Sequence, residues 1–304
     1  MNVLLATQPR SAWWRRLLAA APVRLVIDFV ALATILIGAG AAAGWLMKAL
    51  HLPHGAFFPM YGLFAVPASL VAYILLVRWL EHRRASELLA HGAARELGWG
   101  LLVGAGLFTT TIGLIAAFGG YSIDGVEPVS VLATPAAIGV VSGITEEIVA
   151  RGVLFRILEE WLGTWAALVL SSAFFGVAHI GNPHATVWSA LAIAAEAGTM
   201  LAAAYMVTRR LWLAIGIHAA WNFTQGGIFG VAVSGAEMKG LFRSTMHGPT
   251  WLSGGEFGAE PSALAVVVCG AAATLLLLKA RRMGHFMDPS WVRKRREGLV
   301  GGAA

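Results

Sequence analysis

Apolar residues in this chain run in stretches of about twenty, and the polar residues gather between these stretches rather than alternating along them. That length is what an α-helix needs to cross the hydrocarbon of a bilayer. The pattern predicts eight spans, near 24–48, 57–79, 99–119, 130–153, 163–181, 187–208, 211–232 and 262–279. The expected fold class is all-α: a polytopic membrane helix bundle of about eight transmembrane helices. Between the second and third spans, residues 78–100 alternate charged and apolar positions at helical spacing, which reads as an amphipathic helix in the interface. The Gly-rich segment from Ala232 to Pro261 is the largest loop, and it reads as a connector in preference to a lid. Residues 1–23 form an N-terminal segment, 24–279 the transmembrane domain and 280–304 a basic tail. Positive charge precedes the first apolar run, as in a signal peptide. That run is too long for a signal core, so it is an uncleaved first span.

Composition agrees and adds orientation. Of 304 residues, 58% are hydrophobic and 12% charged, about half the charged share of a soluble domain. The single Cys269 excludes an internal disulfide framework. A net charge of +6 could suggest nucleic acid, but its placement argues for a membrane instead. With the N-terminus in the cytoplasm and the spans alternating, all 22 Lys and Arg except Lys48, Lys239 and Arg243 fall on the cytoplasmic side. That satisfies the positive-inside rule and puts both termini in the cytoplasm. The expected location is the cell (inner or plasma) membrane, multi-pass, with the lipid bilayer as partner and no nucleic acid. Trp13, Trp14, Trp79, Trp99, Trp161, Trp212 and Trp291 lie near span ends, where indole prefers to sit. The pairs Gly40 and Gly44, Gly100 and Gly104, and Gly226 and Gly230 have the spacing that lets helices approach closely; they bear on packing, not function.

The chemistry sits where charge interrupts the apolar runs. Glu146 and Glu147 are adjacent inside the fourth span, with Arg151 four residues on. Each charge in hydrocarbon costs roughly 2.5–3.5 kcal/mol on insertion scales, so the group calls for a reason. Glu147 and Arg151 share a helix face and can pair, a scaffold role. Glu146 lies about 100° round the helix and is left without that partner, which suits a general base. His179, one turn after Phe175, and His218, one turn before Asn222, bring imidazole and amide groups into two further spans. Glu146, His179, His218 and Asn222 form a set that suits zinc with a position open for water. The same groups also work without metal: Glu146 activates water, His179 assists, and His218 with Asn222 stabilises an oxyanion. His51, His54, His82, His184, His247 and His285 read as surface residues.

A turn at Trp161–Gly163 pairs spans four and five, which puts Glu146 and His179 within roughly 3 Å of one height. His218 is nearer its own turn at Arg209–Arg210. It reaches that height only if the hairpin projects one or two turns from the bilayer, exposing Arg151, Arg156, Glu159 and Glu160. The expected site lies in the cytoplasmic half of the membrane. A proton-coupled transporter is a further reading of the same acids and histidines, but no paired broken spans or inverted halves support it.

Taken in order, Glu146-Glu147-x-x-x-Arg151, Phe175-x-x-x-His179 and His218-x-x-x-Asn222 resemble the three motifs of the CPBP family. That family comprises CAAX prenyl endopeptidases and bacteriocin-processing or immunity proteins, also called Abi intramembrane metalloproteases. The resemblance covers about residues 140–232 within a core of about 130–232. It implies an endopeptidase that hydrolyses peptide bonds of membrane-associated protein or peptide substrates with a Glu-activated, optionally metal-bound, water. It makes Glu146, His179, His218 and Asn222 the catalytic set, or the metal ligands if zinc is bound, braced by Glu147, Arg151 and Phe175. One departure is Ala150, where the family commonly has an aromatic residue beside the site. The alternative reading is a non-catalytic membrane immunity or peptide-binding protein of the same fold.

Overall fold

The structure, a computed structural model, describes residues 13, 17–18 and 20–301. Most of the N-terminal segment 1–23 lies outside them, including Arg10, Arg15, Arg16 and Trp14. Among the described residues, seven helices are long and apolar enough to cross a membrane. They are α1 (Ala21–Ala49), α2 (Phe57–Leu80), α3 (Ala93–Ala117), α4 (Val129–Leu162), α5 (Thr164–Gly181), α6 (Val187–Thr208) and, after one intervening helix, α8 (Ala263–Arg282). The intervening helix α7 is the eighth expected span. It has 11 residues of α-helix, Trp212–Asn222, continued by a 6-residue π turn, Phe223–Ile228, so it is a little short of a full crossing. A last helix, α9 (Ser290–Gly301), carries the basic tail.

Local chemistry explains several ends. Pro22 opens α1, where its missing N–H is no loss. The Thr186 hydroxyl caps α6 by accepting from the Ser189 amide, and Ser262 caps α8 through the Ala265 amide. Gly163, at φ 85°, makes the one-residue turn between α4 and α5.

The bundle is drawn tight around α7 by glycines. A Cβ on Gly104 would lie 2.2 Å from the Ile217 carbonyl oxygen, and one on Gly100 would lie 2.5 Å from that of Leu213. On the other flank a Cβ on Gly139 would lie 2.7 Å from the Ala219 carbonyl oxygen. The Gly100 and Gly104 pair is thus a true packing seam, whereas nothing lies within 4 Å of a Cβ on Gly44. Gly104→Leu must therefore push α3 from α7, a loss of at least about 1–3 kcal/mol. Thermal unfolding in detergent should show it, with Gly44→Leu as the unaffected control.

Alternation of the helices gathers the ion pairs at one end. Glu81 accepts from Arg156 and Arg83 there, with Arg24 at 3.6 Å, and Arg83 also pairs with Glu87 at 2.9 Å. Residues 78–100 consequently do not form the expected interfacial helix. α2 stops at Leu80, and the chain turns through Glu81–Gly92 so that Glu81 and Glu87 point inward to these arginines. Burial pushes the Glu81 carboxyl up, but hydrogen bonds and charge from Arg156 and Arg83 outweigh it and hold it below its ordinary 4.5. A lowered folded-state value stabilises above the unfolded one and is lost as pH falls through the folded one. Glu81→Gln should therefore lower the unfolding midpoint at pH 7, and the gap to wild type should close only well below pH 4.5.

The opposite end holds a two-stranded antiparallel sheet, β1 (Tyr121–Val126) with β2 (Phe242–Met246), a small addition to the all-α expectation. β2 belongs to the 232–261 segment, which is more than a connector. Val233, Leu252, Phe257, Ala259 and Glu260 are buried against the helices.

Candidate active site

Glu146 and Glu147 end the regular part of α4, and the helix widens directly after them into a π turn, Ile148–Phe155. α7 widens likewise directly after Asn222, and α6 does so at Ala194–Gly198. His179 stands where α5 tightens into a 3-10 turn. Glu146, Glu147, Arg151, His179 and Asn222 thus sit in or beside irregular turns, with Phe175 and His218 about one turn before them, and such turns are a common mark of a functional site.

Glu147 is fully buried and accepts from Arg151 Nη1 at 2.8 Å. The same oxygen, Oε1, lies 2.9 Å from His218 Nδ1, so Glu147 also orients a histidine besides holding the arginine. Arg151 donates to the Ala197 and Gly198 carbonyls at 3.0 and 2.9 Å, the last two residues of the α6 π turn. Its guanidinium lies 4.5 Å over the Phe175 ring. Phe175 in turn packs on both histidines, with ring centroids 4.9 Å from His179 and 6.0 Å from His218.

His179 Nδ1 lies 2.7 Å from the Phe175 carbonyl. A carbonyl only accepts, so the proton is on Nδ1 and the neutral ring leaves Nε2 as an acceptor. The carboxylate at His218 Nδ1 fixes that ring in the same way. Both Nε2 atoms lie 3.9 Å from one oxygen, Glu146 Oε2. This oxygen is buried and without a partner, although the Glu146 side chain as a whole is 39% exposed. Asn222, the fourth expected residue, donates one amide hydrogen to Ser142 Oγ at 2.8 Å.

The height of His218 is also explained. Arg209, at the α6–α7 turn, pairs with Glu159, one turn short of Gly163, so the α4–α5 hairpin does extend past its neighbours. The extension does not expose its polar residues. Glu159 and Arg151 are buried, Arg156 is nearly so, and only Glu160 is open. His285 is likewise no free surface residue: its ring bonds the Met206 carbonyl at 2.7 Å.

The donor atoms are of the kind zinc takes, with second ring nitrogens anchored as metal-bound histidines usually are. Their spacing is not. Two ligands on one tetrahedral zinc lie about 3.3 Å apart, against 3.9 Å for each histidine–Glu146 pair. Among the described residues no group of three or more His, Cys, Asp or Glu is arranged to hold a metal ion.

Two cavities flank these residues. One, of about 300 Å³, is lined by Glu146 and His179 with Leu36, Val149, Phe174 and Ala178. The other, of about 30 Å³, lies behind His179, His218 and Asn222 and adds two acids to the site, Glu196 and Glu260. Neither acid is among the expected site residues, although Glu196 stands in an apolar run, IAAEAG, and is the same kind of signal as Glu146. Burial holds the Glu260 carboxyl above its ordinary range, against the hydrogen bonds from Gln225 and Ser234 that lower it.

Residues 128–224 match the family model described as type II CAAX prenyl endopeptidase Rce1-like. No curated protein and no solved structure matches the chain. The matched segment contains Glu146, Glu147, Arg151, Phe175, His179, His218 and Asn222, the residues found together above. Over this segment, about a third of the chain and set in a multi-pass membrane bundle, the protein is similar to the CAAX-type endopeptidases that the family model describes.

Proposed function

We propose that this protein is an intramembrane endopeptidase that cleaves membrane-associated proteins or peptides with a water activated by Glu146. The observation that carries this reading is the gap at Glu146 Oε2, a buried, unpartnered oxygen 3.9 Å from two imidazole Nε2 atoms. A water between them donates one hydrogen to Oε2 and the other to an Nε2 lone pair, which leaves its own oxygen lone pairs free to attack. The 300 Å³ cavity, mostly apolar but with Thr145 and Asn182 beside Glu146 and His179 in its lining, brings a peptide carbonyl to the water.

Glu146 takes one proton from the water as its oxygen attacks the carbonyl carbon, with His179 directing the water through Nε2. The tetrahedral oxyanion faces the second amide hydrogen of Asn222, the first being spent on Ser142. Glu146 then returns the proton to the leaving nitrogen, which separates the products. Glu147, Arg151 and Phe175 act through the two rings they hold.

No step uses a metal, and elemental analysis tests that. Active protein purified in detergent should carry no stoichiometric zinc. Zinc present in wild type and lost from both His179→Ala and His218→Ala would overturn the water-only mechanism. The protease reading itself predicts that both variants fail to cleave a membrane-anchored reporter processed by wild type. Equal processing by all three would sink it.

A further inference from the structure

The small chamber behind the two histidines is built for a guest that only donates hydrogen bonds. Two acids, Glu196 and Glu260, stand in its polar wall. Glu196 is 1% exposed, and its Oε2 is buried without a partner; the one group that reaches the carboxyl is the thiol of Cys269, a weak donor. Glu260 is 3% exposed and accepts from Gln225 Nε2, the Ser234 amide and the Ser234 hydroxyl. Asn222, His179 and His218 close the side of the chamber that faces the site. Neither acid has a cationic neighbour among the described residues. The remaining wall, which includes Ile193, Met200, Leu201 and Ile217, is apolar.

Two buried acids lining one apolar chamber carry their charge only when a guest brings positive charge to them. The volume of about 30 Å³ limits what can bring it, since a water needs roughly 10–15 Å³. An ammonium and its adjoining methylene match two such positions, whereas a four-atom planar guanidinium does not fit. An ammonium carries three donors and no acceptor, the complement of this wall. Phe175 and His179 line both this chamber and the 300 Å³ cavity at Glu146, so the two adjoin at these rings. A lysine stem is long and flexible enough to pass from a backbone held at Glu146 to Glu196.

We propose that this chamber is a specificity pocket for a primary ammonium group, the tip of a substrate lysine next to the scissile bond, held by Glu196 and Glu260. The substrate part of the proposal rests on the protease reading above. It goes beyond that reading by making the 232–261 segment, through Ser234 and Glu260, part of the substrate site.

Binding is tested first without catalysis, on the full protein in detergent. n-Propylammonium chloride should raise the thermal midpoint of wild type above matched n-propanol and sodium chloride controls. The rise should be absent from Glu196→Gln and from Cys269→Met, which narrows the chamber and leaves both acids in place. An equal rise with sodium, or none with any of the three, overturns the proposal. The second arm compares reporter peptides with Lys, norleucine or Arg beside the scissile bond. Wild type should prefer Lys by about tenfold or more in kcat/KM, as expected when a mismatched guest leaves buried polar groups unpaired, and Glu196→Gln should lose the preference. If wild type cleaves none of the peptides but still binds propylammonium, the protease reading falls and the pocket stands. Cleavage without an ammonium shift has the opposite meaning.

Discussion

Glu146→Gln should abolish cleavage while leaving the protein folded. The change keeps the shape of the side chain and removes the proton acceptor, so kcat should fall about 10²- to 10⁴-fold with little change in KM. Folding should survive because Glu146 makes no hydrogen bond or ion pair shorter than 3.9 Å, and one of its oxygens already has no partner. Kinetics on a membrane-anchored reporter, with thermal unfolding of the same preparation, checks both halves. Cleavage at the wild-type rate would remove Glu146 from the mechanism. A cellular phenotype that survives the substitution, with no cleavage detected, would favour the immunity or peptide-binding alternative.

Arg151→Met should have the largest effect on stability. Arg151 and Glu147 are 1% and 0% exposed, and removing the cation leaves a carboxylate in the core with only His218 beside it. Breaking such a buried pair from one side costs about 3–5 kcal/mol. Adding Glu147→Gln removes the stranded charge and should recover most of that loss. Activity should not recover with it. The amide oxygen introduced by Glu147→Gln can still accept from His218 Nδ1, but without charge, and loss of such an orienting partner costs about 10- to 100-fold. Denaturant unfolding and kcat measured on both variants separate the two outcomes. If the double variant is as unstable as the single, the pair is not an isolated unit.

The sequence made the candidate set legible for a simple reason. In a membrane span an ionisable residue is expensive, so Glu146, Glu147, His179 and His218 stand out against apolar neighbours without any knowledge of their contacts. The i,i+4 spacing of Glu147 and Arg151 likewise decides their pairing within one helix. Glu196 carries the same signal, but alone in its span it gave no partner to reason with. Its partner, Glu260, lies in a loop, where an acid is ordinary.

Other features depended on distances between helices. The second bond of Glu147, to His218, joins residues 71 apart in the chain. No helical period reports that separation. The π turns after Glu147, within α6 and after Asn222 alter which way side chains face, and a 3.6-residue reading assumes they are absent. Residues 78–100 show the converse error. Their helical pattern was real, but Arg24 and Arg156, supplied by other helices, drew Glu81 inward and broke the helix at Leu80.

By itself, then, the sequence determined that this is a multi-helix membrane protein, that its basic loops lie at one end, and which acids and histidines are the candidates for its chemistry. Each of these follows from the cost of placing a given residue in hydrocarbon, which is local to the residue. Only the tertiary structure decided that Glu146 Oε2 stands equidistant from two imidazoles, that Glu147 serves both Arg151 and His218, and that an acid-walled chamber lies behind them. Those outcomes depend on how closely glycine lets α3 and α4 approach α7, and on the π turns that rotate the side chains into one another. Both are properties of packed helices and cannot be read from one helix alone.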